Sequence, residues 1–160
     1  MDKQFMVAQL AARIRDTLQV ALREQEAAAI EARDGATPSE KRDDARTALE
    51  FSNLARAQGR RALAAREELA RIESFRPRSA GPCVSLGDIV EIEDGETGRT
   101  IFLAPVGAGI ELTMPEGDGF VTVVTPASPL GKALIGRELG DTVEISVRDE
   151  DRDWTVTFIG

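Results

Sequence analysis

Glycine and proline are unevenly distributed along this 160-residue chain, and their distribution separates two kinds of secondary structure. In residues 1–75 glycine occurs only at Gly35 and Gly59, and proline only at Pro38, whereas the remaining 12 glycines and 6 prolines follow. Glycine and proline both destabilise the interior of a helix. The pattern therefore predicts a helical N-terminal half over 1–75, a linker at 76–82 and a strand-rich C-terminal half over 83–160.

The N-terminal half has the periodicity of two long helices. In the first, over residues 2–33, apolar residues recur every four positions and form a narrow stripe at Met6, Leu10, Ile14, Leu18 and Leu22. Turn-forming residues at 34–39 (DGATPS) end this helix. A second helix over about 40–74 places apolar residues at Leu49, Leu54, Leu63, Leu69 and Ile72, with Phe75 after them. We expect an antiparallel hairpin with its tip at about 34–47, although the same periodicity is typical of a dimerising coiled coil.

The C-terminal half alternates short apolar runs with turn residues. The runs at 89–93, 99–104, 109–113, 120–125, 142–147 and 154–159 predict strands, and the charged residues 148–153 predict a turn. Between the strands, Ser128 is placed to cap a short helix, Pro129 occupies its first turn and Gly136 lies near its end. The fold class expected is α+β, a helical hairpin followed by a small antiparallel sheet with one short helix.

Composition excludes several classes of chemistry. The chain has no histidine and a single cysteine, Cys83, so it has no imidazole base, no His-paired nucleophile, no internal disulfide and no thiolate zinc cluster. Residues 81–160 carry a net charge of −10, which disfavours direct binding to duplex DNA. No apolar run is long enough to cross a membrane and no signal-peptide pattern is present, so we expect a cytoplasmic protein without a membrane partner.

Several motifs, in the right order, resemble the GreA/GreB-like transcript-cleavage and elongation factors, the Gre family. The segment 128–137 (SPLGKALIGR), followed by 140–143 (GDTV), is similar to the family's C-terminal signature. The segment 84–90 (VSLGDIV) resembles the opening strand of the same domain. On the second helix, 49–51 (LEF) and 55–59 (ARAQG) are similar to the family's Glu-Tyr and Ala-Arg-x-Gln region.

This resemblance implies an architecture and a partner. It implies an FKBP-like C-terminal domain that docks on bacterial RNA polymerase through Ser128 and Pro129, with Ala127 where the family often has Asp. The coiled coil would enter the secondary channel of the polymerase and reach the RNA 3′ end only indirectly. Arg56 and Arg60 are candidates for contact with RNA or with the channel. The chain itself would be no enzyme, because the polymerase supplies the active site.

The tip of the hairpin differs from the family motif. In the family, two tip carboxylates help to hold a Mg²⁺ shared with the polymerase, and no cofactor is bound by the factor alone. Alignment on Glu50 places Asp44 at the tip Asp but Thr47 at the tip Glu. The region remains acidic, and its carboxylates are Asp34, Glu40, Asp43 and Asp44, of which Asp43 and Asp44 are the candidate metal ligands.

The altered tip predicts weak or absent stimulation of transcript cleavage, since the second carboxylate is not in register. One alternative retains full cleavage stimulation, with Asp43 and Asp44 as the metal-holding pair. The other is a structural coiled-coil protein that associates with itself through the hairpin stripe and does not bind polymerase.

Overall fold

The computed structural model describes residues 2–34, 43–115, 117, 119–147 and 150–160; within these ranges the side chains of 43, 44, 146, 147, 150 and 151 are not described. The expected fold class is confirmed, with two long helices followed by a six-stranded, mostly antiparallel sheet and a short helix. The elements are α1 (Lys3–Asp34), α2 (Asp43–Ser74), β1 (Ile89–Glu93), β2 (Gly98–Leu103), β3 (Glu111–Thr113), β4 (Phe120–Val124), α3 (Pro129–Leu134), β5 (Thr142–Val147) and β6 (Glu150–Ile159). None of the helices in these described ranges is apolar over a length sufficient to cross a bilayer.

The chain forms two compact units. One is Ala12–Ala70, which contains most of α1 and α2, and the other combines Met1–Ala11 with Arg71–Gly160. The helix α1 therefore contributes its first turns to the unit that contains the sheet.

In the unit Ala12–Ala70, four of the five buried apolar side chains among the described residues are alanines, and the fifth is Ile14. Ala21 and Ala28 on α1 and Ala62 and Ala65 on α2 are all buried, at 5% exposure or less. The helices run antiparallel, because only eight residues separate the end of α1 from the start of α2, and residues 24–31 and 51–58 line one open groove. Gly59 leaves room for a side chain of α1, because a β-carbon at Gly59 would lie 3.0 Å from the Gln25 Nε2 atom.

The large apolar residues of α2 differ in burial. Ile72 is fully buried, but Leu49 and Leu63 are each 58% exposed and Leu54 is 45% exposed. The reason is geometric, since Ala62 and Ala65 occupy the face turned toward α1. Residues seven or fourteen positions apart share a helical face, so Leu49 and Leu63 lie together on a different face.

The sheet has the strand order β3-β4-β2-β1-β6-β5. Four of its five pairings are antiparallel, as expected, but β2 and β4 pair in parallel, with Thr100 opposite Val121. The parallel pairing arises because β3 lies between β2 and β4 in the chain but pairs on the outer side of β4.

The predicted turn over 148–153 is shorter in the structure. β6 begins at Glu150, and its first residues pair with β5, including Arg152 opposite Ile145 and Asp153 opposite Glu144. Backbone pairing does not depend on apolar side chains, so a charged sequence extends the strand here. Residues 148 and 149 lie outside the described ranges.

Both faces of the sheet are covered by apolar side chains. One face contributes to a cluster with Leu134 of α3, and its members include Val90, Ile92, Ile101, Leu103, Trp154 and Val156. The side chains of Ile89 and Phe102, which alternate with these along the strands and so lie on the other face, are also fully buried. On α1, Met6 and Leu10 are fully buried, and a β-carbon at Gly107 would lie 2.7 Å from the Leu10 Cδ1 atom. The first turns of α1 therefore belong to this core.

A buried ion pair also ties the start of α1 to this unit. Lys3 Nζ lies 2.8 Å from Asp88 Oδ1, and the two side chains are 12% and 2% exposed. Asp88 Oδ2 also accepts hydrogen bonds from the backbone N–H and the hydroxyl of Ser85, both at 2.8 Å. Its carboxylate is thus fully engaged, as a buried charge must be.

Candidate functional site

The short helix α3 begins at a tightly hydrogen-bonded turn. Ser128 has an extended backbone, and its Oγ accepts a hydrogen bond from the N–H of Gly131 at 3.0 Å. The same hydroxyl donates to the carbonyl oxygen of Thr125 at 2.8 Å. Pro129 then occupies the first turn, where its missing N–H has no cost. The predicted N-cap is therefore present.

Gly131 allows this turn to close. A β-carbon built on Gly131 would collide with the carbonyl oxygen of Thr125, which lies on the same side of the backbone. The residue is buried, so a side chain there would have no open path to solvent. The segment Ser-Pro-Leu-Gly thus combines a side-chain cap with a close backbone approach, and together these fix the orientation of Pro129.

The turn presents a mixed polar and apolar surface to solvent. Ala127 and Pro129 are exposed, whereas Ser128 is partly buried and uses its hydroxyl within the turn. Beyond the helix, Ile135 is 40% exposed and Leu139 is 64% exposed. The sequence interpretation did not include Ile135 or Leu139 among the site residues. Their one sequence signal is that they are apolar residues on either side of the helix-ending Gly136.

The predicted tip residues lie at the facing ends of α1 and α2. Asp34 is the last residue of α1 and is exposed, while Asp43 and Asp44 are the first two residues of α2. Glu40 lies outside the described residues, as do the side chains of Asp43 and Asp44. Within the described part of the chain, no group of three or more metal-binding side chains comes together.

Further along α2, the charged side chains are exposed. Arg46 pairs with Glu50, with Nε 3.3 Å from Oε1, and both side chains are mostly in solvent. Arg56 and Arg60 are also exposed and lie one turn apart on α2. Contact between these two arginines and RNA or a channel wall remains a prediction.

Asp88 is a structurally important residue that sequence reasoning missed. It lies in the segment 84–90 that carries the resemblance, but nothing in that segment predicts an ion pair with a lysine 85 positions earlier. A buried carboxylate is exceptional unless it is paired.

The sheet, the short helix and its Ser-Pro turn occupy the part of the chain that matches a known family. The family model "Transcription elongation factor, GreA/GreB, C-term" matches residues 79–160, which is more than half of the chain. The chain therefore belongs to the GreA/GreB family of transcription elongation factors.

Individual relatives include proteins with two different names. The chain is 28% identical over 109 residues to the transcription inhibitor protein Gfh1 of Thermus aquaticus, a match that covers 60% of this chain and 67% of that one. It is 32% identical over 81 residues to the transcription elongation factor GreA of Thioalkalivibrio sulfidiphilus, covering 51% of this chain and 48% of that one. The match thus spans about half the length of that GreA.

Solved structures of Gfh1 overlap with most of the chain at low similarity. The "Structure of the transcription factor Gfh1" has a TM-score of 0.41 and 22% identity, and the overlap covers 94% of this chain and 93% of that one. Gfh1 from Thermus thermophilus has a TM-score of 0.38 and 19% identity, with 94% of each chain covered.

Proposed function

We propose that this chain binds bacterial RNA polymerase through the turn at Ser128 and Pro129, inserts its helical hairpin into the secondary channel and modulates elongation with little or no stimulation of transcript cleavage. The observation that carries the proposal is a closed Ser-Pro turn in a GreA/GreB domain, combined with Thr47 where the family motif has its second tip carboxylate. Gfh1 relatives are named transcription inhibitors, so we expect the effect on elongation to be inhibitory.

The geometry of the turn defines what a partner would touch. Both hydrogen bonds of the Ser128 hydroxyl are made inside the turn, so this residue shapes the surface. Pro129 and Ala127 are exposed beside it and form the contact itself. With Ala127 in place of an acidic residue, docking relies on shape and apolar contact, to which the exposed Ile135 and Leu139 add area.

The tip supports the weak-cleavage part of the proposal. Thr47 stands where the family motif has its second tip carboxylate, and it is an exposed residue of α2. Mg²⁺ requires near-octahedral oxygen ligands, and a two-metal reaction needs the second ion held firmly. With Thr47 in that position, the tip lacks one of the charged oxygen ligands that would hold this ion. The factor would bind no Mg²⁺ by itself, and any ion near the tip would be shared with the polymerase.

The structural coiled-coil alternative receives little support. It requires the stripe of α1 to be free for self-association, but Met6 and Leu10 are fully buried within the single chain and Ile14 is 2% exposed. A stripe that already forms part of the monomer's interior cannot also form a dimer seam without unfolding.

A cleavage assay on defined backtracked elongation complexes tests the proposal, with polymerase binding measured in parallel. We expect the chain to bind and to leave the RNA uncut. The variant Thr47→Glu, which restores the missing carboxylate, should increase cleavage, whereas the control Ala45→Glu, exposed two residues away, should not. Robust Mg²⁺-dependent cleavage by the natural chain, abolished by Asp43→Asn with Asp44→Asn, would instead establish the full cleavage factor. Absence of binding would overturn the proposal.

A further inference from the structure

One exposed face of α2 runs along the outside of the hairpin, where Asn53 lies beside two leucines and two arginines that we call the leucine–arginine stripe. Its members are Leu49, Arg56, Arg60 and Leu63. Leu49, Arg56 and Leu63 are spaced by seven residues, so they share one face with a drift of about 20° per heptad. Arg60 lies one turn from Arg56 and three residues from Leu63, on the same side.

This face is turned away from the interior of the hairpin. Within the unit Ala12–Ala70, the buried apolar side chains that α2 contributes are those of Ala62 and Ala65. Leu49 and Leu63 are each 58% exposed, although they are the larger apolar side chains. The fold therefore places alanines inside and leaves two leucines in solvent, the reverse of what hairpin stability alone would favour.

The two arginines between the leucines are available to a partner. Arg56 and Arg60 are both exposed, and neither guanidinium forms an ion pair or hydrogen bond with another side chain in the described ranges. By contrast, Arg46 on the same helix pairs with Glu50. Guanidinium groups bind carboxylates in a bidentate geometry, and they are more weakly hydrated than ammonium groups. The stripe thus combines two guanidinium groups, which can bind carboxylates, with two leucine side chains, which can be buried by a partner.

We propose that the leucine–arginine stripe binds an acidic surface of RNA polymerase on which apolar side chains lie beside carboxylates. The proposal rests on the proposed function, which brings the hairpin into the polymerase, and it identifies the helix face that makes contact there. A nucleic acid backbone would satisfy the arginines but leave both leucines in water, so charge and apolar area together favour protein.

A second copy of the chain is the less suitable occupant. A two-fold interface brings the same patch of both copies together, so the four arginines of the two patches would lie within one interface. Like charges in contact disfavour such pairing. The stripe is therefore complementary to a surface of opposite charge and is not complementary to itself.

The test is the affinity of the full chain for purified RNA polymerase, measured by biolayer interferometry with two double variants. Leu49→Ala with Leu63→Ala removes the anchors, and Arg56→Glu with Arg60→Glu reverses the charge. Each should weaken binding roughly tenfold, as the loss of paired interface anchors does. Arg56→Lys with Arg60→Lys should retain more affinity than the reversal, since it keeps the charge. Matched controls are Val20→Ala with Ile30→Ala, exposed on α1 at 44% and 43%, and Arg66→Glu, exposed elsewhere on α2.

Each result decides between named outcomes. One outcome is that the natural chain binds, that Pro129→Glu abolishes this binding and that the stripe variants bind normally. The proposed function then stands, and the stripe proposal is overturned. If the natural chain does not bind polymerase, both fail. Loss of binding to isolated single-stranded RNA on arginine reversal, with the leucine variant normal on polymerase, would make the stripe an RNA contact. Light scattering could show a dimer that only the leucine variant dissociates, while the affinity for polymerase stays unchanged. The occupant of the stripe would then be a second copy of the chain.

Discussion

Gly131 occupies a position at which no other residue fits. A β-carbon there would overlap the carbonyl oxygen of Thr125, and the residue is buried. Gly131→Ala should therefore lower the free energy of unfolding by about 1–3 kcal/mol, the usual cost of overpacking. Urea unfolding followed by the fluorescence of Trp154, the single tryptophan, which is 3% exposed, measures this directly.

The matched control for this substitution is Gly81→Ala. A β-carbon at Gly81 would meet no atom within 4 Å, so the same chemical change should leave the unfolding midpoint nearly unchanged. Equal unfolding curves for the natural chain and Gly131→Ala would contradict the close approach of Thr125.

Asp94, in the turn between β1 and β2, makes the stability of the protein depend on pH. The carboxylate of Asp94 accepts hydrogen bonds from the backbone N–H of Thr97 at 2.7 Å, from the guanidinium of Arg152 at 2.9 Å and from the backbone N–H of Glu96. These hydrogen bonds hold the pKa of Asp94 far below its usual range. Because the folded pKa is lowered, this stabilisation is complete above the unfolded pKa of about 4 and is lost as the pH falls toward the folded value.

We therefore expect Asp94→Asn to be less stable than the natural chain at pH 7, with the difference shrinking below about pH 4. Thermal unfolding at a series of pH values measures it. Glu93→Gln is the matched control, because it removes an exposed carboxylate from the last residue of β1, next to Asp94. A difference that stayed constant down to about pH 2 would assign the effect of Asp94→Asn to packing instead.

At the scale of the helices, the interior of the hairpin depends on small side chains. Ala62 is 3% exposed and lies one turn from Gly59, beside which the Gln25 side chain of α1 is placed. Ala62→Leu should therefore force the helices apart and destabilise the unit Ala12–Ala70 by roughly 1–3 kcal/mol. Thermal unfolding followed by circular dichroism at 222 nm measures the effect.

Ala64→Leu is the control for this prediction, because Ala64 is exposed two residues away on the same helix. Leucine and alanine have similar helix propensities, so a change on the surface should be nearly neutral. A hairpin stabilised by Ala62→Leu would show that the interior has room for larger side chains.

For the whole molecule, the charge is divided along the chain. Residues 1–80 have a net charge of +2 and residues 81–160 a net charge of −10. The acidic half should repel phosphate, so we expect no binding of duplex DNA by the full chain at physiological salt. Fluorescence anisotropy with a labelled duplex checks this. Micromolar or tighter binding that weakens steeply with added salt would contradict it.

How far the sequence predicts the fold depends on whether the determining interactions are local. The limits of α3 were predicted well, because Ser128, Pro129 and Gly136 act within one or two turns of themselves. The predicted limits of β5, residues 142–147, also match the structure, because the residues that set them lie next to the strand in the sequence. The parallel pairing of β2 with β4 was missed, because alternation within a strand does not show which neighbour it will pair with.

The candidate site divides in the same way. The Ser-Pro turn and the acidic tip can be found from motifs, since their residues are close in sequence. The exposed Leu49 and Leu63 and the buried Asp88 could not, because periodicity finds apolar positions without showing which of them a partner helix will cover.

The sequence by itself determined the two halves of this protein and its helix ends, because glycine, proline and capping residues act over a few positions. It also indicated the GreA/GreB family, because the motifs that carry the resemblance are short and contiguous. The tertiary structure alone decided that alanines form the hairpin interior, that Lys3 neutralises Asp88 and that α1 gives its first turns to the sheet's core. Those outcomes depend on contacts between residues far apart in the chain, where burial and close packing select among faces that the local sequence leaves equivalent.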